Sequence, residues 1–238
     1  LNLMIAPDWK KSSMNNFAQK LAKDPIFSSL PLADLQKIAQ LANSRSYLKG
    51  DWITHNGDAW AYLFWVEKGK IVALKESNEG RSLIATTIVA QELFWGLAFF
   101  QDDAPMPVAL VANVDCQISM WLREQLEPFL LKSGKMSWEL ARQMAFRMQQ
   151  ISDVVDNLAF RAVPGRLAGL LLERYSGSGE SPVARDMTLD QMASHIGSTR
   201  EMVCRALYKF ADQGAIKINR TEFVLSDEAL LTDIAHHD

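Results

Sequence analysis

The chain is poor in cysteine: Cys116 and Cys204 are the two cysteines among 238 residues, and no cysteine or histidine lies at metal-ligand spacing from either. This scarcity excludes a disulfide framework and a cysteine-ligated iron-sulfur cluster. Long apolar runs are also lacking, because stretches such as residues 93–100 fall far short of the roughly 20 residues that cross a bilayer. No charged-then-apolar leader opens the sequence. These absences predict a cytoplasmic protein with no membrane partner.

Motifs of common catalytic sites are missing as well. The sequence has no Ser-His-Asp order, no P-loop and no metal-ligand spacing. Asp102 and Asp103 stand in a predicted turn with no basic partner expected nearby. We therefore predict that the protein is not an enzyme, and we assign no catalytic residue and no metal site.

Basic residues are not in excess over acidic ones. The chain has 25 Lys and Arg against 28 Asp and Glu, a net charge of -3, whereas nucleic-acid-binding proteins usually show a basic patch. The charge is uneven, however, because residues 159–225 carry nine basic and seven acidic side chains and residues 226–238 carry four acidic and no basic ones. The first of these segments is therefore compatible with DNA binding.

Residues 187–225 predict a winged helix-turn-helix. A short helix ends at Ile196, Gly197 supplies a tight turn, and Ser198 or Thr199 can cap a second helix. A β-hairpin follows from residue 214. A second helix placed in this way fits the major groove of DNA.

The exposed positions of this second helix carry side chains that read bases. Arg200 and Arg205 can each form two hydrogen bonds with guanine, and Glu201 can accept one from cytosine. The alternative interpretation is a solvated charge pair at Arg200 and Glu201 on an ordinary helix. The predicted DNA-binding residues are Ser198, Thr199, Arg200, Glu201, Cys204 and Arg205, and the predicted buried face is Val203, Ala206, Leu207 and Phe210.

Upstream of this segment the sequence predicts a helical cap followed by a β-barrel. Residues 14–46 have helical spacing with breaks at Pro25 and Pro31, and residues 78–80 are a hairpin signal. Short runs rich in β-branched and aromatic residues at near-regular spacing are typical of an antiparallel barrel or jelly roll. These runs lie at residues 62–67, 70–75, 82–88, 108–113 and 117–121.

Residues 123–158 predict a short helix and then a long one that begins near Met136. An apolar stripe at alternating spacings of three and four follows the long helix, as in a coiled-coil seam. This pattern predicts a homodimer, and the alternative is that the stripe packs against the barrel of its own chain. The stripe consists of Ala141, Met144, Met148, Ile151, Val155 and Leu158.

Three sets of residues together resemble the CRP/FNR superfamily of bacterial transcription regulators. They are the turn residues 50–51, 56–58 and 68–70, the junction at residues 157–166, and the segment 196–205. The resemblance implies an α+β fold, with a helical cap and β jelly-roll sensor barrel over residues 1–122, a helical dimerisation stretch over 123–158 and a winged helix-turn-helix over 159–238. It also implies a palindromic double-stranded DNA operator, a homodimer and a contact with RNA polymerase.

The departures from the family bear on the effector. Cyclic-nucleotide-binding members hold the ribose and phosphate with Gly-Glu and Arg-Ser pairs, and the matching positions here are Trp95, Gly96, Met106 and Pro107. The phosphate-binding arginine is therefore absent, and we predict no cyclic nucleotide. The family's cluster-binding cysteines are also missing.

The residues at and around these positions would instead form an apolar pocket. It suits a small uncharged organic ligand or haem, and haem would need His55, Met106 or a cysteine as its axial ligand. Two alternatives remain: the bulky side chains fill the pocket, or the barrel serves only as a dimerisation module of a constitutive DNA-binding protein. The predicted pocket residues are Phe94, Trp95, Met106, Pro107, Ile151 and Ser152.

Overall fold

A computed structural model describes residues 16–77, 81–177, 181–219 and 221–237. Its contacts divide the chain into two compact units, residues 1–73 with 87–149 and residues 74–86 with 150–238. No helix in these described ranges is long and apolar enough to cross a membrane. The predicted hairpin turn at residues 78–80 lies outside the described residues.

The N-terminal part of the first unit is helical, with one correction. Residues 16–21 form a helix, turns follow through residue 30, and α1 spans Leu32–Leu41. The sequence predicted helix as far as residue 46, but Asn43–Tyr47 is a strand, β1. It is extended because it pairs antiparallel with a later strand, from Asn43 opposite Met120 to Tyr47 opposite Cys116.

Two four-stranded antiparallel sheets form the barrel. The first has the order β1-β8-β3-β6 and the second has the order β2-β7-β4-β5. All five predicted strands are present, and the sequence missed three short ones, β1, β2 and β6. The remaining strands are β2 (Trp52–Thr54), β3 (Tyr62–Lys68), β4 (Lys70–Glu76), β5 (Ser82–Val89), β6 (Leu93–Trp95), β7 (Ala109–Ala112) and β8 (Cys116–Leu122).

Alternation along the strands separates two apolar clusters. In β3, Phe64 and Val66 join one cluster, which we call the interior cluster, with Met120 of β8. Leu63 and Trp65 join the other, the cap cluster, which includes buried side chains of the N-terminal helical segment and α1. Side chains of consecutive strand residues point to opposite faces of a sheet, so each strand serves both clusters.

Two helices follow the barrel, as predicted. They are α2 (Arg123–Lys132) and α3 (Gly134–Phe160). Contrary to the sequence-based expectation, Asp102 has a basic partner, because Arg123 at the start of α2 forms an ion pair with it. The stripe on α3 is largely exposed: the exposed fractions are 71% at Met148, 55% at Ile151 and Val155, and 37% at Leu158.

The C-terminal elements form a separate core. A three-stranded sheet in the order β10-β11-β9 lies with four helices around buried Leu167, Phe210 and Phe223. The first of these helices begins with proline in its first turn, where the missing N–H costs nothing. The elements are α4 (Val163–Tyr175), β9 (Val183–Ala184), α5 (Leu189–Ile196), α6 (Arg200–Asp212), β10 (Ile216–Ile218), β11 (Glu222–Leu225) and α7 (Glu228–His237).

Candidate nucleic-acid interface

Local hydrogen bonds fix the turn between α5 and α6. Thr188 caps α5 by accepting from the Gln191 N–H at 3.2 Å, while the Gln191 side chain accepts from the Thr188 N–H at 2.8 Å. Gly197 ends the helix with φ 59° and ψ 47°, a left-handed conformation. A Cβ at this position would lie 2.8 Å from Leu158 Cδ2 and 3.0 Å from Leu83 Cδ1. Glycine is therefore favoured here by the backbone conformation, and the ends of two leucine side chains would have to shift to admit a Cβ.

The second helix of the motif, α6, is held onto its core by one face. Thr199 caps it by accepting from the Met202 N–H at 3.3 Å. The predicted buried face is confirmed, with exposed fractions of 0% at Val203, 5% at Ala206, 4% at Leu207 and 0% at Phe210. Packing on one side and solvent on the other is what a helix needs in order to enter a groove of DNA.

The charged residues lie on the solvent side of α6 and form two ion pairs, one within α6 and one with α5. The side chains of Arg200, Glu201 and Arg205 are 66%, 71% and 71% exposed. Arg205 pairs with Glu201 one turn away, and Arg200 Nη1 lies 3.1 Å from Asp190 Oδ2 of α5. Because exposed ion pairs of this kind contribute only about 0–1 kcal/mol, these groups remain available to partners with better geometry.

The other three predicted contact residues differ in their exposure to solvent. Thr199 is exposed and its hydroxyl caps the helix, and Cys204 is half-buried on α6. Ser198 is only 9% exposed, and its N–H is held by the Ala193 carbonyl at 2.9 Å, so we remove it from the candidate surface. Sequence reasoning missed Tyr208, which is 66% exposed and lies one turn beyond Cys204, a spacing that would have indicated it.

An ion-pair cluster fastens α4 to the segment that leads into α5. Asp186 accepts from the Arg174 guanidinium and, at 2.5 Å, from the Tyr175 hydroxyl. The hydrogen bonds from Arg174 lower the pKa of Asp186 to about 2, and burial together with the bond to Asp186 raises the pKa of Tyr175 to about 12. The cluster thus holds Asp186 ionised and Tyr175 protonated over a wide pH range.

The four predicted pocket residues of the barrel unit do not share one apolar cluster. Phe94 and Met106 belong to the interior cluster. Trp95 does not, because it stands opposite Leu63 in the pairing of β3 with β6 and packs against the cap cluster. Its neighbour Phe94 stands opposite Phe64, on the other face. The prediction that Trp95 lines the interior was therefore wrong, and the alternation of strand residues explains it.

The other predicted pocket residues are exposed, and so is His55, a candidate haem ligand outside that set. Pro107 is exposed on a loop, and Ile151 and Ser152 are exposed on α3. His55 stacks on the Trp52 ring at 5.0 Å, with its side chain 65% exposed, rather than joining the interior cluster.

Cys116 lies in the interior cluster, where burial raises the pKa of its thiol and the nearby carboxylates of Asp115 and Asp51 raise it further. Since the thiolate is the form that binds iron, this position is unfavourable for a haem ligand. Of the candidate ligands, Met106 is then the one whose placement and chemistry are both compatible with an interior group.

A buried arginine beside Phe94 was missed from the sequence. Arg147 of α3 is 8% exposed. Its guanidinium carbon lies 5.8 Å from the centre of the Phe94 ring, and its Nη2 lies 3.2 Å from Glu92 Oε2. Arg147 directly precedes Met148 of the apolar stripe, and the spacing of apolar residues carries no signal for a buried arginine at that position. A cation therefore stands at the edge of the interior cluster, although the family's phosphate-binding arginine is absent.

Comparisons with known proteins match both parts of the chain. A cyclic nucleotide-binding domain model matches residues 44–133, and a Crp-like helix-turn-helix domain model matches residues 165–234. A CRP-like cAMP-activated global transcriptional regulator of Mycobacterium tuberculosis is 24% identical over 216 residues, 89% of this chain and 96% of that protein. The cAMP-activated global transcriptional regulator Vfr of Pseudomonas aeruginosa is 25% identical over 201 residues, 82% of this chain and 94% of that protein.

Solved structures have the same fold. The c-di-GMP responsive global regulator CLP of Xanthomonas campestris aligns with a TM-score of 0.71 at 19% identity, over 82% of this chain and 99% of that one. A regulator assigned to the crp/fnr family from Eubacterium rectale aligns with a TM-score of 0.72 at 23% identity, over 89% of this chain and 97% of that one. With the two domain models matching more than half of its length, the chain belongs to the CRP/FNR superfamily of transcription regulators and carries that superfamily's helix-turn-helix DNA-binding domain.

Proposed function

We propose that the protein is a homodimeric, sequence-specific regulator whose α6 reads a palindromic operator. The observation that carries this proposal is the exposed face of α6, where Arg200, Glu201 and Arg205 stand on a helix whose opposite face is buried. Arginine contacts guanine through two hydrogen bonds and glutamate accepts from cytosine, so each half-site should contain G·C pairs. The DNA-contacting set is Thr199, Arg200, Glu201, Cys204, Arg205 and Tyr208.

The homodimer is supported by the exposed apolar stripe of α3. A helix-turn-helix protein binds two half-sites about one helical turn of DNA apart, and a two-fold pair of chains supplies the two recognition helices. The stripe offers a coiled-coil seam for that pairing. We further propose that residues 159–238 form the DNA-binding domain.

Control by an effector other than cyclic AMP is the second part of the proposal. The relatives named above are cAMP-activated proteins and CLP is responsive to c-di-GMP, so members of the superfamily differ in effector. Here the position of the phosphate-binding arginine is occupied by Met106, which is 2% exposed. The ligand would bind beside Phe94 and Met106, and a bound ligand would shift the population of DNA-competent dimers.

A constitutive regulator is the second candidate, and one observation favours it. Aromatic side chains occupy the interior cluster around Phe94: the rings of Trp60 and Phe64 lie 5.3 Å apart and those of Phe64 and Phe94 lie 5.9 Å apart. In that case the barrel is a structural dimerisation module. A thermal-shift screen of uncharged organic compounds, haem and cyclic nucleotides separates the two candidates, because a ligand of the folded state must raise the melting temperature.

The DNA-binding proposal is tested by selecting operators from random duplexes and comparing two alanine variants. Arg205→Ala removes a proposed guanine contact from each half-site and should weaken operator binding by about 1–3 kcal/mol per half-site, with relaxed preference at one base pair of each. Arg142→Ala is the matched control, since Arg142 pairs with Glu139 at 2.8 Å on an exposed face of α3. Equal operator affinities for Arg205→Ala and the wild type would contradict the proposed reading helix.

A further inference from the structure

A cavity of about 440 Å³ lies beside the first turn of α6. Arg185, which directly follows β9, lines it together with the segment that leads into α5 and with Arg200. The proposed base-reading arginine therefore shares this surface with a second arginine that the sequence did not indicate. A duplex that brings its major groove to Arg200 also brings its phosphates close to this cavity.

The backbone and the side chain of Arg185 are both held in place. Its N–H donates to the Thr221 carbonyl at 2.8 Å, which ties it to the hairpin of β10 and β11. Its guanidinium carbon lies 5.5 Å from the centre of the Phe223 ring, and Phe223 is fully buried in the core. A guanidinium stacked on an aromatic face still directs its N–H donors outward from its edge.

The positive charge of Arg185 is not neutralised by the carboxylates that line the cavity. The cavity also contains two carboxylates, but Asp186 is bound by Arg174 and Tyr175, and Asp190 pairs with Arg200. Across the described ranges, no hydrogen bond or ion pair to the Arg185 guanidinium is found. A half-buried arginine whose N–H donors are open to solvent is well suited to an oxygen-rich anion, and phosphate oxygens match its geometry.

We propose that Arg185 is a backbone-contacting residue of the DNA interface, binding a phosphodiester next to the base pairs that α6 reads. The proposal rests on the proposed function, because it assumes that α6 enters the major groove. A phosphate contact fixes the position of the protein on the duplex and carries no sequence information. Arg185 should therefore contribute equally to operator binding and to non-specific binding.

The salt dependence of DNA affinity tests this assignment. Each phosphate neutralised by a cation contributes about -0.9 to the slope of log affinity against log salt concentration. Because the proposed homodimer contains Arg185 twice, we expect Arg185→Gln to make that slope shallower by about 1.8 and to weaken operator and random-sequence binding by the same factor. Arg185→Lys should keep the wild-type slope because the charge is retained. Arg45→Gln, which removes an exposed arginine from β1, is the matched control and should leave the slope unchanged.

Misfolding cannot imitate this result, since an inactive fraction of protein changes the apparent affinity equally at every salt concentration and leaves the slope intact. An unchanged slope for Arg185→Gln, or a loss confined to the operator, would overturn the phosphate contact. Wild-type protein that fails to select any sequence would instead contradict the proposed function. The two failures are therefore distinguishable in one set of titrations.

Discussion

Replacing Ile151 by alanine should weaken the homodimer by an amount that the structure allows to be worked out. Fully burying an isoleucine side chain contributes about 2 kcal/mol. Because 55% of Ile151 is still exposed in the single chain, about half of that, or about 1 kcal/mol, is left for the partner to bury. A two-fold seam contains the position twice, so the loss should be about 2 kcal/mol, or about 30-fold in the dimer dissociation constant.

The measurement is sedimentation equilibrium of the wild type and of two variants over a range of concentrations. Phe146→Ala is the matched control, because Phe146 is 56% exposed on the same helix but lies about 140° around it from Ile151. Both substitutions remove exposed apolar side chains, so neither should lower the stability of the single chain by much. Only Ile151→Ala should raise the dissociation constant.

Equal dissociation constants for Ile151→Ala and the wild type would refute the seam, and a larger loss for Phe146→Ala would place the dimer contact on a different face of α3. The comparison matters for DNA binding as well. A protein that loses its dimer should bind a single half-site but lose the added affinity of the paired site.

Two further predictions concern stability. Gly96→Ala should lower the free energy of unfolding, measured by urea denaturation, by about 3 kcal/mol, because its Cβ would lie 1.7 Å from the Trp60 carbonyl oxygen. Gly134→Ala is the control and should be nearly neutral, since its Cβ would meet no atom within 4 Å. Asp186, whose pKa is lowered to about 2 from 3.8, should stabilise the fold above about pH 4 and lose that contribution as the pH falls towards 2. The stability difference between the wild type and Asp186→Asn should narrow over that interval, and a difference independent of pH would contradict this account.

Sequence alone could predict those elements whose local signals agree with their tertiary context. The helix-turn-helix has a glycine at its left-handed turn, caps at both helices and an apolar face at helical spacing, and α6 buries the face that the spacing indicated. The long strands β3 and β8 are likewise rich in β-branched and aromatic residues. By contrast β1 reads Asn-Ser-Arg-Ser-Tyr, and it is a strand because it pairs with β8. The strand propensity of these five residues does not predict that pairing, which joins segments about 70 residues apart in sequence.

The candidate site shows the same division between local and tertiary information. Burial of Ser198 depends on how the turn packs, and the role proposed for Arg185 depends on a cavity beside α6 and on the contact with the Phe223 ring, which lies 38 residues further along the chain. The position of Trp95 is a different case, since the alternation of side chains along a strand would have separated it from Phe94 once β6 had been recognised. A three-residue strand is too short for that pattern to be visible.

The internal ion pairs of the reading helix should lower its affinity for every sequence by a similar amount, while the base contacts themselves supply the discrimination. For the proposed base contacts to form, Arg200 must leave Asp190, and Arg205 and Glu201 must leave each other. Each exposed pair gives up about 0–1 kcal/mol, while a two-bond contact with guanine returns about 1–3 kcal/mol. At a wrong base pair the ion pairs must still break, but the two-bond contact with guanine does not form. Because the chain also carries a net charge of -3, general attraction to DNA is weak, and stable binding depends on sites where the exchange of partners is favourable.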